Sequence, residues 1–326
     1  MEFIICDQAG VELGFLSEYK KIDFDIGELN DFEVTISEGS FDKDFFQIGN
    51  RIISYKTEYG GIIKRHQVST ADKEIILCGY TWRGMLGNKV IEPPAGEAYK
   101  IVSGDANTII DNLIGSTFGG IIVGSDQLSG IQIKKYQLDR YCTLLDGLQK
   151  MLKTVNARLD IKYNPDLACV VVSAVSIIDY SEMLEYSQDN RLNFSTDDYQ
   201  MGVNHLICLG QGELTERQVI HLYVQEDGTV GKTQFYKGMD EIEKTYDYSS
   251  VESLEELEKA GVEKLLELTN HKSLAMSIAE IDAEIGDIVG GRERITGMYA
   301  KKPIVTKLLR MEGRNSSIEF KLEGSD

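Results

Sequence analysis

"NHLICLGQGELTERQVIHLYVQEDGTVG", residues 204–231, contains residue types typical of a nucleotide-binding loop but has the apolar pattern of a β-hairpin. The turn Gly210-Gln211-Gly212 follows an apolar run, but Thr215 stands where the dinucleotide-binding fingerprint needs a third glycine. The residues after the turn alternate between apolar and polar, which predicts a strand and leaves no helix N-terminus to hold a phosphate. We therefore predict a strand ending at Leu209, a glycine turn, and a second strand over 218–225.

The same segment contains two of the four histidines of the chain. His205 and His221 could bind a metal together with Glu213 or Cys208, but their spacing is not the i, i+4 spacing of helical ligand pairs. Histidines that are simply packed or exposed are the more common case. No metal site is predicted here.

Length, charge and apolar pattern limit the possible classes of protein. The chain has 326 residues and a net charge of −19, with 53 acidic and 34 basic residues. This length favours several domains, and the charge argues against general binding of nucleic-acid backbones. No apolar run approaches the roughly 20 residues of a membrane-spanning helix, and the N-terminus lacks the pattern of an export signal. We expect a soluble chain made in a reducing compartment, with its five cysteines free.

Charge is distributed unevenly along the chain. Residues 1–50 hold twelve acidic residues against three lysines, a balance of −9, whereas residues 286–326 carry a balance of +2. Two interpretations are open: a solvated acidic surface, or an acidic wall that faces something it must not bind.

Residues 1–95 have the pattern of a β domain. The segment "FEVTIS", residues 32–37, alternates apolar and polar positions, which predicts a strand with one buried face. Gly60-Gly61 separates two apolar runs, so a hairpin turn is expected there. Pro93-Pro94 cannot continue a helix or donate to a sheet, and marks a predicted domain boundary.

Residues 96–194 have the pattern of an α+β domain. A helix is predicted between a cap at Ser103 or Asp105 and a stop at Gly115, followed by a second helix and a pair of strands.

A second β domain is predicted from 195–239 and 273–326, with 240–272 as a helical insertion. In that insertion Ser253 and Glu256 form a capping-box pattern, and a break is expected at Gly261. The predicted fold class is thus α+β and β-rich, with two small β-barrels, an α+β domain and a helical insertion.

The sequence contains no specific catalytic motif. There is no nucleophile elbow, no paired cysteine motif and no phosphate-binding lysine loop. An acidic pair of the glycosidase type stays open, because any of the many carboxylates could pair in space. Trp82 and Tyr80 are interpreted as packing residues rather than a ligand stack. No catalytic residue, cofactor site or metal site is assigned, and the chain is not expected to be an enzyme.

Several segments, taken in their order along the chain, resemble the tail-tip hub proteins of siphophages and prophages, which are related to the baseplate hub of contractile phages. The matching segments are "FEVTIS", "IGNRIISYKTE", "GYTWRGMLGNKVIEPP", "DRYCTLLDGLQKML", "NHLICLGQGELTERQVIHLYV" and "IGDIVGG". Together they extend over almost the whole chain.

The resemblance implies a homotrimer at the distal end of a virion tail, made in the bacterial cytoplasm. Its two barrels per subunit would form a ring that adapts the sixfold tail tube to a threefold tip. Its partners would be the tail tube or distal tail protein, the tape measure protein, and a tip spike, fibre or lysin. DNA would pass through the lumen without specific binding, and an acidic lumen would repel its phosphates.

Within this picture Glu213, Glu216 and Arg217 are candidate contacts between subunits or with a tail partner. Two other functions stay open: a cell-wall hydrolase that uses an acidic pair, and a carbohydrate-binding tail module.

Overall fold

The computed structural model describes residues 1–181, 192–199, 201–251, 253–269, 271–278, 282–292, 299–313 and 315–323. It confirms a β-rich α+β chain with several sheets. Contacts between Cα atoms divide the chain into two compact units. The first unit comprises Met1–Phe194 and Ala275–Glu323, and the second Ser195–Leu274 with Gly324–Asp326. The division predicted from the sequence, into two barrels, an α+β domain and an insertion, stays a prediction.

The first ninety residues form β1 (Ile4–Cys6), β2 (Glu12–Phe15), β3 (Lys21–Ile26), β4 (Asp31–Ser37), β5 (Arg51–Ile53), β6 (Gly60–Ile62), β7 (Arg65–Ser69), β8 (Glu74–Tyr80) and α1 (Trp82–Gly87). The following segment forms β9 (Ile101–Asp105), α2 (Ala106–Ile114), β10 (Ile122–Gly124), β11 (Gln132–Gln137), α3 (Leu144–Lys153), β12 (Ala157–Asn164) and β13 (Cys169–Ser176).

The remaining elements are β14 (Leu192–Tyr199), β15 (His205–Leu209), β16 (Val219–Val224), β17 (Val230–Gly231), β18 (Glu243–Asp247), α4 (Leu254–Leu268), β19 (His271–Ile278), β20 (Ile288–Arg292), β21 (Tyr299–Glu312) and β22 (Asn315–Leu322). Short 3₁₀ turns occur at Glu38–Ser40, Leu214–Glu216 and Gly238–Asp240.

The largest sheet of the first unit has the order β22-β21-β3-β4-β8-β7, with β20 also paired to β21. A four-stranded sheet, β2-β1-β5-β6, belongs to the same unit.

The alternating pattern of 32–37 forms β4, as predicted. Its apolar side chains Phe32, Val34 and Ile36 are buried, and β3 buries Ile22, Phe24 and Ile26 in the same way. Phe24 and Phe32 stack at 5.4 Å between ring centroids. One face of the β3–β4 hairpin is therefore core, and the other face carries its polar residues.

The hairpin turn expected at Gly60-Gly61 is wrong, because both glycines lie inside β6, which pairs with β5. A Cβ on Gly60 would come within 2.6 Å of the Ile52 carbonyl oxygen and of the Trp82 indole nitrogen. Glycine is needed there for close packing of backbone and indole rather than for a turn. Trp82 is completely buried, which agrees with its interpretation as a packing residue.

The α+β segment follows the predicted signals closely. The Asp105 carboxylate accepts a hydrogen bond from the Asn107 amide at the start of α2, and Gly115 occupies its C-cap with a φ of 48°. The strands β12 and β13 form the predicted antiparallel pair, and β10 joins β13 in parallel. A continuous apolar core lies between this sheet and the helices α2 and α3.

In the second unit β15 is central, with antiparallel β16 on one side and parallel β18 on the other. The helix α4 packs on one face of this sheet and begins at Ser253, whose hydroxyl accepts a hydrogen bond from the Glu256 amide, as predicted. The break expected at Gly261 is wrong, because α4 is continuous. A Cβ on Gly261 would lie 2.5 Å from the Cys208 sulfur, so this glycine lets helix and sheet approach closely.

No sheet formed by the described strands closes into a barrel, and none of the described helices is long and apolar enough to cross a membrane. Two contacts connect the β5–β6 region with β8: an isolated bridge joins Gly61 to Thr81, and the Lys64 amide donates to the Cys78 carbonyl at 2.9 Å. All five cysteines are free, as predicted.

Candidate functional site

The glycine turn between β15 and β16 forms a compact, exposed loop, which we call the 210–217 turn. Its base is closed by two backbone hydrogen bonds, from the Gly210 amide to the Gln218 carbonyl and from the Gln218 amide to the Gln211 carbonyl. Gly212 has a φ of +104°, and a Cβ there would lie 2.5 Å from the Glu216 carbonyl oxygen. The glycines therefore build a tight turn, and no helix follows that could hold a phosphate.

The three candidate contact residues have different environments within this turn. Glu213 and Glu216 are exposed, and so is Leu214, which keeps 94 % of its surface accessible and has a φ of 49°. Arg217 is half-buried at the base of the turn. Its guanidinium contacts the Asp247 carboxylate at 2.7 Å and donates to the Gly210 carbonyl at 3.2 Å.

A second region is the polar side of the β3–β4 hairpin, where four carboxylates meet; Glu33 is exposed, and Asp23, Asp25 and Asp31 are half-buried. The pairing of the strands sets Asp23 opposite Glu33 and Asp25 opposite Asp31. We call these four residues the acidic face. Two directly opposed pairs of like charge destabilise a sheet, whereas opposite charges in such pairs would stabilise it.

Neighbouring groups offset part of this repulsion: the backbone amides of Glu28 and Leu29 donate to an Asp25 oxygen at 3.2 and 3.0 Å. The Asp23 carboxylate contacts the Lys21 ammonium, and the Arg310 guanidinium lies 3.8 Å from its other oxygen. Burial raises the pKa of Asp31, and the nearby charges of Asp25 and Glu33 raise it further. The acidic face is thus a shallow, negatively charged depression over a well-packed core.

The two histidines of the opening segment do come together. Nε2 of His205 lies 2.8 Å from Nδ1 of His221 across β15 and β16. Nδ1 of His205 lies 2.8 Å from carboxylate oxygens of Glu241 and of Glu243. The other two ligands weighed from the sequence do not take part in this cluster: Glu213 is in the exposed turn, and Cys208 packs under α4.

Glu241 and Glu243 were not predicted from the sequence. They reach His205 because β18 pairs in parallel with β15 and sets Glu243 directly beside His205. A parallel partner that is distant in sequence leaves no local signal. Only the alternation of Glu241 and Glu243 about Ile242, at the start of an exposed strand, indicates that both carboxylates face the same way.

Comparisons with known proteins find similarity in three-dimensional structure. The chain resembles the 43 kDa tail protein of prophage MuSo2 from Shewanella oneidensis, with a TM-score of 0.52 and 12% identity over 99% of this chain and 98% of that one. It also aligns with a tail protein from Neisseria meningitidis MC58, with a TM-score of 0.46 and 13% identity over 99% and 98%.

A third match is prophage tail protein gp18 from Listeria monocytogenes, with a TM-score of 0.48 and 12% identity over 100% of this chain and 95% of that one. No protein-family profile matches the chain, and no curated protein matches it. The similarity to the MuSo2 tail protein extends over both chains almost completely, so the two share a fold.

Proposed function

We propose that this protein is a structural hub at the distal end of a phage or phage-like tail. The observation that carries the proposal is the fold it shares with the MuSo2 tail protein over nearly the full length of both chains. The match extends over nearly all of both chains and not over one common module. The role is proposed by analogy with that tail protein, because a fold by itself does not fix a function.

In this proposal three copies form a ring, and two β-rich regions per copy close as barrels around its lumen. The bridge between Gly61 and Thr81 supports closure of the first region, because it already joins β6 to the end of β8. The ring would adapt a sixfold tail tube to a threefold tip, with the tube or distal tail protein above and a spike, fibre or lysin below. The tape measure protein and then DNA would pass through it.

The acidic face is the part of the first unit that we assign to the lumen wall. Its opposed carboxylates reduce the stability of the sheet, so a purely structural surface would gain by losing them. Against a strand of phosphates the same charges are useful, because they repel DNA and allow it to slide. The protein would therefore conduct DNA without binding it.

The 210–217 turn is the part of the second unit that we assign to contacts with a neighbouring subunit or tail protein. It presents an apolar tip, Leu214, between the carboxylates of Glu213 and Glu216. A partner that covers Leu214 would bury its apolar surface and leave the two carboxylates at the polar rim of the contact.

Assembly and DNA passage can be tested separately in particles that contain the chain. Reversing both carboxylates of the turn, Glu213→Lys with Glu216→Lys, should reduce incorporation of the chain into particles. The control is Glu226→Lys, an exposed carboxylate in the turn between β16 and β17. Equal incorporation of both variants would refute the contact assigned to the 210–217 turn.

The acidic face is tested with Asp31→Lys and Glu33→Lys together. We expect normal incorporation and slower DNA release, because lysines in the lumen would hold phosphates. Unchanged release would place these residues outside the lumen. A chain that is absent from the tail and cleaves peptidoglycan as a monomer would overturn the hub proposal as a whole.

A further inference from the structure

Two carboxylates of the second unit converge on one imidazole nitrogen. Nδ1 of His205 lies 2.8 Å from an oxygen of Glu241 and 2.8 Å from an oxygen of Glu243. These three atoms all lie within 4.8 Å of one another. One imidazole nitrogen carries at most one proton, so it cannot give each carboxylate a hydrogen bond of its own.

The other nitrogen of the ring is also engaged. Nε2 of His205 lies 2.8 Å from Nδ1 of His221, and one of these two nitrogens must donate to the other. If Nε2 donates, the neutral His205 ring turns the lone pair of Nδ1 toward two negative oxygens. If Nδ1 carries the proton instead, the two carboxylates share it. Either arrangement of the neutral ring leaves two negative charges close together with too little positive charge between them.

The surroundings hold this cluster in a fixed geometry. His205 is buried, with 5% of its surface exposed, and its ring stacks on Tyr223 with the ring centroids 4.3 Å apart. The amide of Gln234 donates to the same Glu241 oxygen at 2.7 Å, which orients that carboxylate. Bound metal ions are held in this way, with each ligating histidine or carboxylate positioned by a hydrogen bond from outside.

We propose that His205, Glu241 and Glu243 form a binding site for a divalent transition-metal ion of the zinc type. Imidazole nitrogen and carboxylate oxygen are ligands that Zn²⁺ accepts, with bonds of about 2.0–2.2 Å. Tetrahedral ligand atoms at that bond length are about 3.4 Å apart. Each carboxylate oxygen now lies 2.8 Å from Nδ1 of His205, so it needs to move away from that nitrogen by only about half an ångström.

In this site Nδ1 of His205 binds the ion and Nε2 donates to His221, which acts as the positioning residue. Glu243 is 56 % exposed in its side chain, so the ion can enter from solvent and keep a water as its fourth ligand. The ion would join β15 to β18 and to Glu241, the residue that leads into β18. This inference does not depend on the role of the chain in a tail.

The test uses the full chain, freed of metal with a chelator and titrated with ZnCl₂ by calorimetry. We expect one Zn²⁺ per chain, at least tenfold weaker binding in Glu243→Gln and in His205→Gln, and a smaller loss in His221→Gln. His66→Gln and Glu226→Gln are the matched controls, since each removes a residue of the same type outside the cluster. The thermal midpoint of the wild-type chain should rise with Zn²⁺, and that of Glu243→Gln should not.

Glu243→Gln carries the test even if the His205 variant fails to fold, because Glu243 lies at the open edge of the site. Substituted Co²⁺ gives a second measurement: visible absorption bands of a four-coordinate nitrogen and oxygen site should appear in the wild type and disappear in Glu243→Gln. The proposal is overturned if the wild type binds no Zn²⁺, or if Glu243→Gln and His66→Gln bind it equally.

Discussion

The acidic face of the first unit and the 210–217 turn of the second unit give up stability in different ways. The acidic face has regular strands over a packed core, but its charges oppose one another in two cross-strand pairs. In the turn the Arg217 guanidinium is paired, since it contacts the Asp247 carboxylate and the Gly210 carbonyl. The backbone, however, holds Gly212 and Leu214 at positive φ. One region is strained in its electrostatics and the other in its backbone.

This difference shows where function should be sought in each region. Features that reduce stability persist when something else depends on them. On the acidic face that feature is charge, so variants there should be judged by the pH dependence of stability and, under the proposed function, by the passage of DNA. In the turn it is shape, so variants there should be judged by backbone fit and by assembly.

The largest effect is expected at the strained backbone. Gly212→Ala should lower the free energy of unfolding of the second unit by about 2–3 kcal/mol, because the new Cβ would sit at a φ of +104° and 2.5 Å from the Glu216 carbonyl oxygen. Urea denaturation measures the change. Gly228→Ala is the matched control: its φ is +81° but nothing lies within 4 Å of the new Cβ, so it should cost only about 1 kcal/mol. Equal losses would mean that the turn is not crowded.

A smaller effect of opposite sign is expected on the acidic face. Asp31→Asn should raise the free energy of unfolding by about 0.5 kcal/mol at pH 7, because it removes one like-charge pair. Since the pKa of Asp31 is raised in the folded protein, its carboxyl favours folding below its ordinary pKa and loses that contribution as pH rises. The extra free energy of unfolding of Asp31→Asn over the wild type should therefore vanish near pH 3.

The control for this prediction is a carboxyl whose pKa is lowered in the folded protein instead of raised. Hydrogen bonds from Lys301 and Ser181 lower the pKa of Asp179 to about 2, so Asp179 stabilises the fold above its ordinary pKa and loses that contribution as pH falls. Asp179→Asn should destabilise the chain at pH 7 and have little effect near pH 2. If both variants change stability with the same sign, the acidic face is not under repulsion.

How much of these two regions can be predicted from the sequence depends on how local the cause is. The β3–β4 hairpin follows from alternation, and the charge balance of residues 1–50 indicates an acidic surface. That Asp25 opposes Asp31 depends on register, which the turn at 27–30 sets through a hydrogen bond from the Gly27 amide to the Asn30 side chain. A register set by a short turn is in principle predictable; charge balance alone does not give it.

Other features depend on contacts between distant segments. Gly60 and Gly261 carry the same local signals as turn or break residues, but each is required because an indole or a sulfur packs against it. His205 meets Glu243 through a parallel strand pair, which composition and spacing do not show. The caps at Asp105 and Ser253 are local, and the sequence predicts both correctly.

A still smaller effect is expected at the base of the turn. Arg217→Ala should return the pKa of Asp247 toward its ordinary range, because the guanidinium that lowers it is removed. A carboxyl-detected NMR titration measures this, with Glu216→Gln as the control that should leave Asp247 unchanged. An unshifted Asp247 in Arg217→Ala would show that the ion pair does not form in solution. Because Arg217 is bonded internally, charge reversal at this position perturbs the turn itself as well as any contact with a partner.

The smallest effect on the fold is expected at the tip of the turn, where the effect on assembly should be clear. Leu214 is 94 % exposed at a φ of 49°, a conformation that asparagine accepts better than leucine does. Leu214→Asn should therefore change the free energy of unfolding by less than about 0.5 kcal/mol, while it removes the apolar tip from any contact. Incorporation into particles should fall.

Met239→Asn is the matched control, since Met239 is another fully exposed apolar residue of the same unit in a short 3₁₀ turn. If both variants lose incorporation to the same degree, the loss reflects general surface hydrophobicity. If Leu214→Asn alone loses it, with unfolding unchanged, the strained backbone of the 210–217 turn exists to present that one side chain to a neighbour.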